Sequence, residues 1–170
     1  APAALAGQTP ELCAAGQNWD WDGVHFAMLG PVAGLVGKEN DSSCVLKVST
    51  AGGSVLFTGD IERAGESALI RQWGDALHSD AIIVPHHGSK TSSTIEFLQK
   101  VQPRLALFPV GYLNRFRFPV ASVVDRYQQM GADIWSTATM GALTLETSGD
   151  KLPMHISGWR QSHSRYWGNR

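Results

Sequence analysis

Cysteine is scarce in this chain, and neither sign of charge dominates. Only Cys13 and Cys44 occur, far apart and in no metal-like spacing, which excludes a disulfide-rich scaffold and a zinc knuckle. A single bridge between them stays open if the compartment is oxidising. The 14 Lys and Arg residues against 15 Asp and Glu leave a net charge of -1, so the basic excess common in nucleic-acid binders is absent and any polyanion contact has to be local. No run approaches the ~18 consecutive apolar residues of a transmembrane helix, and Ala1–Ala6 has neither the basic start nor the long apolar stretch expected of a signal peptide. Repeats and low-complexity stretches are also lacking. What is present is a 43% hydrophobic composition over 170 residues, enough for one globular domain with an ordinary core. One local asymmetry stands out: after Asp150 come Lys151, His155, Arg160, His163, Arg165 and Arg170 with no acidic residue. Residues 151–170 therefore read as a basic C-terminal tail, solvated by default, in which Trp159, Tyr166 and Trp167 interleave with arginine as suits single-stranded nucleic acid.

Along the chain, Ala1–Gln17 reads as an edge or linker segment and Asp20-Trp21-Asp22-Gly23 as a turn. Val24–Leu29 alternates like a half-buried strand, with Val24, Phe26 and Met28 on one face and His25 on the solvent side. Gly30–Asp41 is a glycine-rich loop. Ser43–Val48 and Ser54–Thr58, joined by Ala51-Gly52-Gly53, form a β-hairpin. From Glu62 to Leu77 the apolar Leu69, Ile70, Trp73, Ala76 and Leu77 recur at helical spacing. His78 ends that helix, where partial positive charge is favourable. Ala81–Val84 is a short apolar run before Pro85, as expected of a buried strand. Ser93-x-x-Glu96 has the form of a capping box opening a helix that Pro103 ends. Leu105–Val110 is another buried strand, followed by the loop Gly111–Phe118. Pro119 starts a helix whose Val120, Val123, Val124, Tyr127 and Met130 face inward and which Gly131 stops. Ile134–Ser136 and Ala142–Thr147 are closing strands. Trp19, Trp21 and Trp73 are expected to serve packing. A hairpin-led sheet followed by β-α-β-α-β alternation predicts an α/β domain with mixed strands.

Two features fall at strand-to-loop junctions, where α/β folds carry their sites. The first is Thr58-Gly59-Asp60: a carboxylate directly after a buried strand is placed to bind a metal ion or orient a water, although Asp60 could equally be the N-cap of the following helix. The second is Pro85-His86-His87-Gly88-Ser89-Lys90. Neutral imidazole is the usual nitrogen ligand for zinc and similar ions. On an extended segment adjacent side chains point in opposite directions, so one histidine is expected to ligate and the other to act as an outer or substrate contact.

These residues carry a resemblance. The ordered series Asn40-Asp41-Ser42-Ser43-Cys44-Val45-Leu46, Val55-Leu56-Phe57-Thr58-Gly59-Asp60-Ile61-Glu62, Val84-Pro85-His86-His87-Gly88-Ser89-Lys90-Thr91-Ser92 and Asn114-Arg115-Phe116 resembles the hydrolase domain of the ComEC family of DNA-uptake proteins. Ala15-Gly16-Gln17 and Trp21-Asp22-Gly23-Val24 fit its proteobacterial members. The resemblance runs from about Cys13 to about Thr147. It implies the second half of a metallo-β-lactamase-type αβ/βα sandwich, with residues 1–150 as the C-terminal part of the hydrolase domain. It further implies attachment to an inner-membrane channel, with the domain soluble and on the periplasmic side. The partners implied are DNA, the rest of the same membrane protein, including the first half of the hydrolase domain, and other competence proteins. The implied activity is metal-dependent nuclease action on the strand that is not imported. Carried over by position, Asp60, His86 and His87 would be metal-binding and catalytic residues. Ser89, Lys90, Asn114, Arg115 and Arg117 would be substrate-binding residues.

Two departures bear on that expectation. The histidine/aspartate cluster of the superfamily, His-x-His-x-Asp-His or His-x-Asp-x-Asp-His, occurs nowhere in this sequence and would lie upstream of it. Many members also continue Asn-Arg-aromatic with Gly-His-Pro, whereas here Arg117-Phe118-Pro119 follows. With the upstream cluster, Asp60 and one of His86 and His87 would complete a site for two divalent ions, zinc or manganese, ~3.5–4 Å apart. Alone, this chain is expected to bind metal weakly and to be inactive, since two or three ligands from one side do not close a site. The alternatives are a DNA-positioning domain with a decayed metal site, and a small-molecule hydrolase such as a β-lactamase or thioesterase on the same fold.

Overall fold

A computed structural model describes residues 11–35, 39–147 and 154–163. Four antiparallel strands open the chain: β1 (Asn18–Trp21), β2 (Val24–Gly30), β3 (Val45–Thr50) and β4 (Gly53–Phe57). Three parallel additions follow, each after a helix: α1 (Arg63–Trp73), β5 (Ala81–Ile83), α2 (Ile95–Val101), β6 (Leu105–Phe108), α3 (Ala121–Gln129) and β7 (Asp133–Ser136). The seven strands form one mixed sheet in sequential order, so the expected α/β class with packed helices is what forms. Because strand order advances in one direction and β-α-β crossovers are right-handed, α1, α2 and α3 all lie on the same face. Leu56, Ile82, Ala106 and Phe108 point to that face and join Leu69, Phe97, Leu98, Val101, Val123 and Tyr127 in the buried core.

The other face of the sheet is apolar as well. Side chains alternate along strands, and the register aligns Phe26 with Val48, Val48 with Val55, Leu46 with Phe57, Phe57 with Ile83, Ile83 with Leu107, and Leu107 with Trp135. None of these belongs to the helix-side core. At its β1 end this face is open: Trp19 stacks on Phe26 with ring centroids 5.1 Å apart, yet Trp19 is 43% and Trp21 73% exposed. Trp19 therefore packs on Phe26 on this open face, outside the helix-side core, whereas Trp21 stands mostly in solvent and does not serve the packing expected of it.

Several local expectations are corrected. The first turn is confined to Asp22-Gly23, both with positive φ, so Asp20 and Trp21 belong to β1, paired with His25 and Val24. The Glu62–Leu77 helix breaks at Gly74, which has φ 49, and continues as a 3-10 turn. Lys47 Nζ donates to the carbonyls of Ala76 (2.8 Å) and His78 (2.6 Å), capping that end of the chain segment. The N-cap of α2 is Thr94, whose hydroxyl accepts the Phe97 N–H, while Ser93 sits at φ 58. Helix α3 begins after Val120, and Met130 is its partly exposed C-cap. The strand expected at Ala142–Thr147 does not join the main sheet. As β8 (Leu143–Glu146) it pairs antiparallel with β9 (His155–Gly158), flanked by short helices α4 (Thr137–Met140) and α5 (Trp159–Ser162). The described part of the basic segment, Met154–His163, is thus docked, while Lys151, Arg165, Tyr166, Trp167 and Arg170 lie outside the described residues. Cys13 and Cys44 are disulfide-bonded.

Candidate metal centre

The parallel strands β4, β5 and β6 all end on one edge of the sheet, and their exit loops meet there. Thr58 leaves β4 with its hydroxyl donating to the Ile83 carbonyl (2.6 Å), and the His86 N–H donates to the Gly59 carbonyl (3.1 Å). The two motif loops are therefore tied directly. Gly59 is required: its φ is 56, and a Cβ there would lie 2.7 Å from that of Ser43. This close approach lets the Ser43 hydroxyl accept the Asp60 N–H (3.1 Å).

Asp60 is not the cap of α1. That role falls to Asp41, a buried residue on the glycine-rich loop whose Oδ1 accepts from the Glu62 N–H (2.8 Å) and the Gly65 N–H (2.9 Å). A negative charge at this end also suits the helix dipole. With the cap supplied from elsewhere, the Asp60 carboxylate is left for other contacts. Ile61 is buried, so the flanking Asp60 and Glu62 both turn out of the core.

The histidine loop is not extended. Pro85–Gly88 forms a 3-10 turn in which His86 (φ 48, ψ 40) and His87 (φ 55, ψ 19) are both left-handed, a costly backbone state for residues with a Cβ. The turn gives the two rings separate partners. His87 Nδ1 donates to the Pro109 carbonyl (2.7 Å), which fixes the ring and leaves Nε2 with its lone pair outward. That Nε2 stands 3.6 Å from Asp60 Oδ1, and both side chains are about half exposed. His86 Nδ1 instead faces Glu62 Oε1 at 3.2 Å, and Thr91 Oγ1 donates to the same carboxylate oxygen (3.0 Å). The His86 and Phe118 rings pack T-shaped, with centroids 5.9 Å apart.

A buried polar cluster holds the end of this loop. The Glu66 carboxylate, fully buried, accepts from the N–H groups of Ser93 and Thr94 and from the Thr94 hydroxyl. Burial pushes its pKa up, against the hydrogen bonds of Thr94 and Ser93 and the nearby Arg126 charge. Arg126 donates to the carbonyls of Ser92 and Ser93, and the Ser93 hydroxyl pairs with Tyr127 OH at 3.1 Å.

The remaining expected site residues separate. Lys90 is exposed on the same loop, whereas Ser89 is 5% exposed and its hydroxyl pairs with that of Thr91 (3.0 Å); it is not at the surface to meet phosphate. Asn114 spends its amide inside its own loop, donating to Gly111 and Phe118 carbonyls and accepting the Phe118 N–H. Arg115 and Arg117 are exposed. Glu62 and Asp41 are the site residues that sequence reasoning missed. The alternation Asp60-Ile61-Glu62 was the available signal for the first; the second stood in the Asn40–Leu46 motif without any sign of its role as a cap.

The donor chemistry fits a divalent cation: one fixed imidazole nitrogen beside one half-exposed carboxylate. The number of donors does not close a site, because among the described residues no group of three or more His, Cys, Asp or Glu could hold a metal ion. Residues 3–111 match the model of the metallo-beta-lactamase superfamily. The chain belongs to that superfamily. The chain is 39% identical to Competence protein ComA of Neisseria gonorrhoeae, over 75% of this chain and 18% of that protein. It is 36% identical to Recombination protein 2 of Haemophilus influenzae, over 83% of this chain and 18% of that one. For ComE operon protein 3 of Bacillus subtilis the identity is 33%, over 71% of this chain and 15% of that protein. The resemblance to the ComEC family is borne out, and the chain spans less than a fifth of the length of these relatives.

Proposed function

We propose that this chain is the second part of the hydrolase domain of a DNA-uptake protein, and that Asp60 and His87 contribute one side of a divalent-metal site that hydrolyses phosphodiesters of the strand left outside. The observation that carries the reading is the pair itself: His87 Nε2 at 3.6 Å from Asp60 Oδ1, with Nδ1 fixed on a backbone carbonyl. A bound zinc or manganese ion would supply hydroxide near neutral pH and stabilise developing oxyanions. The chain's own groups do the rest. His87 offers a lone pair in a fixed orientation, Asp60 offers a carboxylate oxygen, Glu62 holds His86 beside them, and Lys90, Arg115 and Arg117 attract phosphate.

Two further features support membership of a larger assembly. The apolar second face of the sheet, open at Trp19, Trp21 and Phe57, suits the rest of a sandwich packed against it. The Cys13–Cys44 bond suits an oxidising compartment, and so supports the periplasmic side of the inner membrane. Among the described residues no helix is long and apolar enough to cross a membrane, which fits a soluble domain joined to a channel. Other competence proteins would be neighbours of that assembly.

A second reading, a DNA-positioning domain without catalysis, is favoured by the two-donor count and by Phe118 at the position where the family resemblance implies a histidine. The whole protein separates the two. Cleavage of a labelled DNA strand with manganese should fall in Asp60→Asn and in His87→Ala by at least the ~10–100-fold that loss of an outer-shell partner alone costs. Cleavage retained in both variants contradicts the metal reading, and strand binding without cleavage by the parent supports the second one.

A further inference from the structure

The loop after β6 carries a stack of rings that the metal half-site does not use. Phe118 packs T-shaped against His86, and Phe116 stacks on Phe118 with centroids 5.7 Å apart and planes 21° from parallel. The Arg115 guanidinium lies over Phe116 at 4.7 Å from the ring centre. The series thus runs outward from the histidine loop to solvent, where Phe116 is 61% exposed. Arg115 and Arg117 have no ion-pair partner among the described residues.

The loop is also held rigid. Asn114 makes three hydrogen bonds across it, and the Val120 N–H donates to the Gly88 carbonyl (3.0 Å), joining it to the histidine turn. Gly88 permits this approach, since a Cβ there would lie 2.8 Å from that of Pro119. An exposed ring costs solvation free energy and is normally mobile; here it is preorganised beside unpaired cations. Ring face plus guanidinium is the chemistry that holds an unpaired nucleobase and its phosphates. A duplex keeps its base faces stacked internally and cannot use it.

We propose that Phe116 and Arg115 form a stacking platform for one base of a single strand passing the half-site. Phe116 is then a positioning residue, and it gives the site its preference for single strands over duplex. This rests on the reading of Asp60 and His87 as part of a DNA-cleaving site, and the test keeps the two apart.

Binding is measured in EDTA, so that no metal is involved, by fluorescence anisotropy of a short labelled oligodeoxythymidine and of an abasic strand of equal length and charge. The parent chain should bind the base-bearing strand at least about five-fold tighter than the abasic one. Phe116→Ala should erase that difference while abasic binding stays, and Phe116→Trp should keep it. Circular dichroism confirms that both variants fold. Equal binding of the two strands by the parent, or a preference that survives Phe116→Ala, overturns the platform. So does binding of phosphatidylglycerol vesicles lost in Phe116→Ala with no base preference, which would make the loop a lipid contact. A base preference together with cleavage that ignores Asp60→Asn leaves the platform standing and removes the half-site. Equal binding with Asp60-dependent cleavage removes the platform alone.

Discussion

Replacing Asp41 tests how the candidate site is built. In Asp41→Ala the N–H groups of Glu62 and Gly65, which sit at 2.8 and 2.9 Å from Asp41 Oδ1, lose their acceptor at the start of α1. Loss of a cap costs ~0.5–2 kcal/mol, and a buried donor left unsatisfied costs ~1–3 kcal/mol. The Gly65 contact is fully buried and the Glu62 contact only partly so, which places the sum at about 2–4 kcal/mol. For a domain of this size each kcal/mol shifts Tm by ~2–4 °C, so melting followed by circular dichroism should fall by roughly 5–15 °C. Asp41→Asn keeps an acceptor oxygen and loses only the charge-assisted part, about 1 kcal/mol. The half-exposed Asp60 provides the contrast, because Asp60→Ala should leave the melt almost unchanged. If Asp41→Ala melts within about 2 °C of the parent, or if Asp60→Ala is the variant that unfolds, the cap has been misplaced and Asp60 is not released for chemistry.

Two other outcomes follow from buried groups. Burial raises the Glu66 carboxyl above its ordinary value of 4.5, so its contribution to stability is fully present below that unfolded value and is lost as pH rises through the higher folded one. Urea unfolding across about pH 4 to 8 should therefore show the parent losing stability relative to Glu66→Gln as pH rises; a parent that gains on the variant over that window contradicts the assignment. The Cys13–Cys44 bond closes a separation of 31 residues, for which chain entropy predicts about 3–4 kcal/mol. A Cys13→Ser, Cys44→Ser double variant should lose that much in denaturant unfolding, and an unchanged midpoint refutes the estimate.

The later strands and the helices between them were legible because they rest on periodicity: the apolar run Ala81–Val84 and the inward residues Val123 and Tyr127 of α3 needed only local information, whereas the sequential strand order and the edge strand β1 depend on pairing between segments. The site was legible as positions and not as geometry. Asp60 and the two histidines stand at strand ends in the sequence itself, but the left-handed turn at His86 and His87 depends on Gly88 packing against Pro119 and Phe108, contacts made far along the chain. The Asp41 cap spans 21 residues to Glu62, and no local pattern encodes it. The β8–β9 hairpin was half seen, since Ala142–Thr147 has strand character while its partner is read as a basic tail until pairing buries Gly158.

The proposed metal half-site consists of Asp60 and His87, and not His86. Its most direct test is a zinc titration of the 170-residue chain followed by imidazole nitrogen NMR. A response is expected at His87 Nε2 that weakens in Asp60→Asn, with His86 still engaged by Glu62, and with an affinity far below that of a closed four-donor site. A response at His86 alone, no response at His87 in excess zinc, or tight binding indifferent to Asp60→Asn would contradict it.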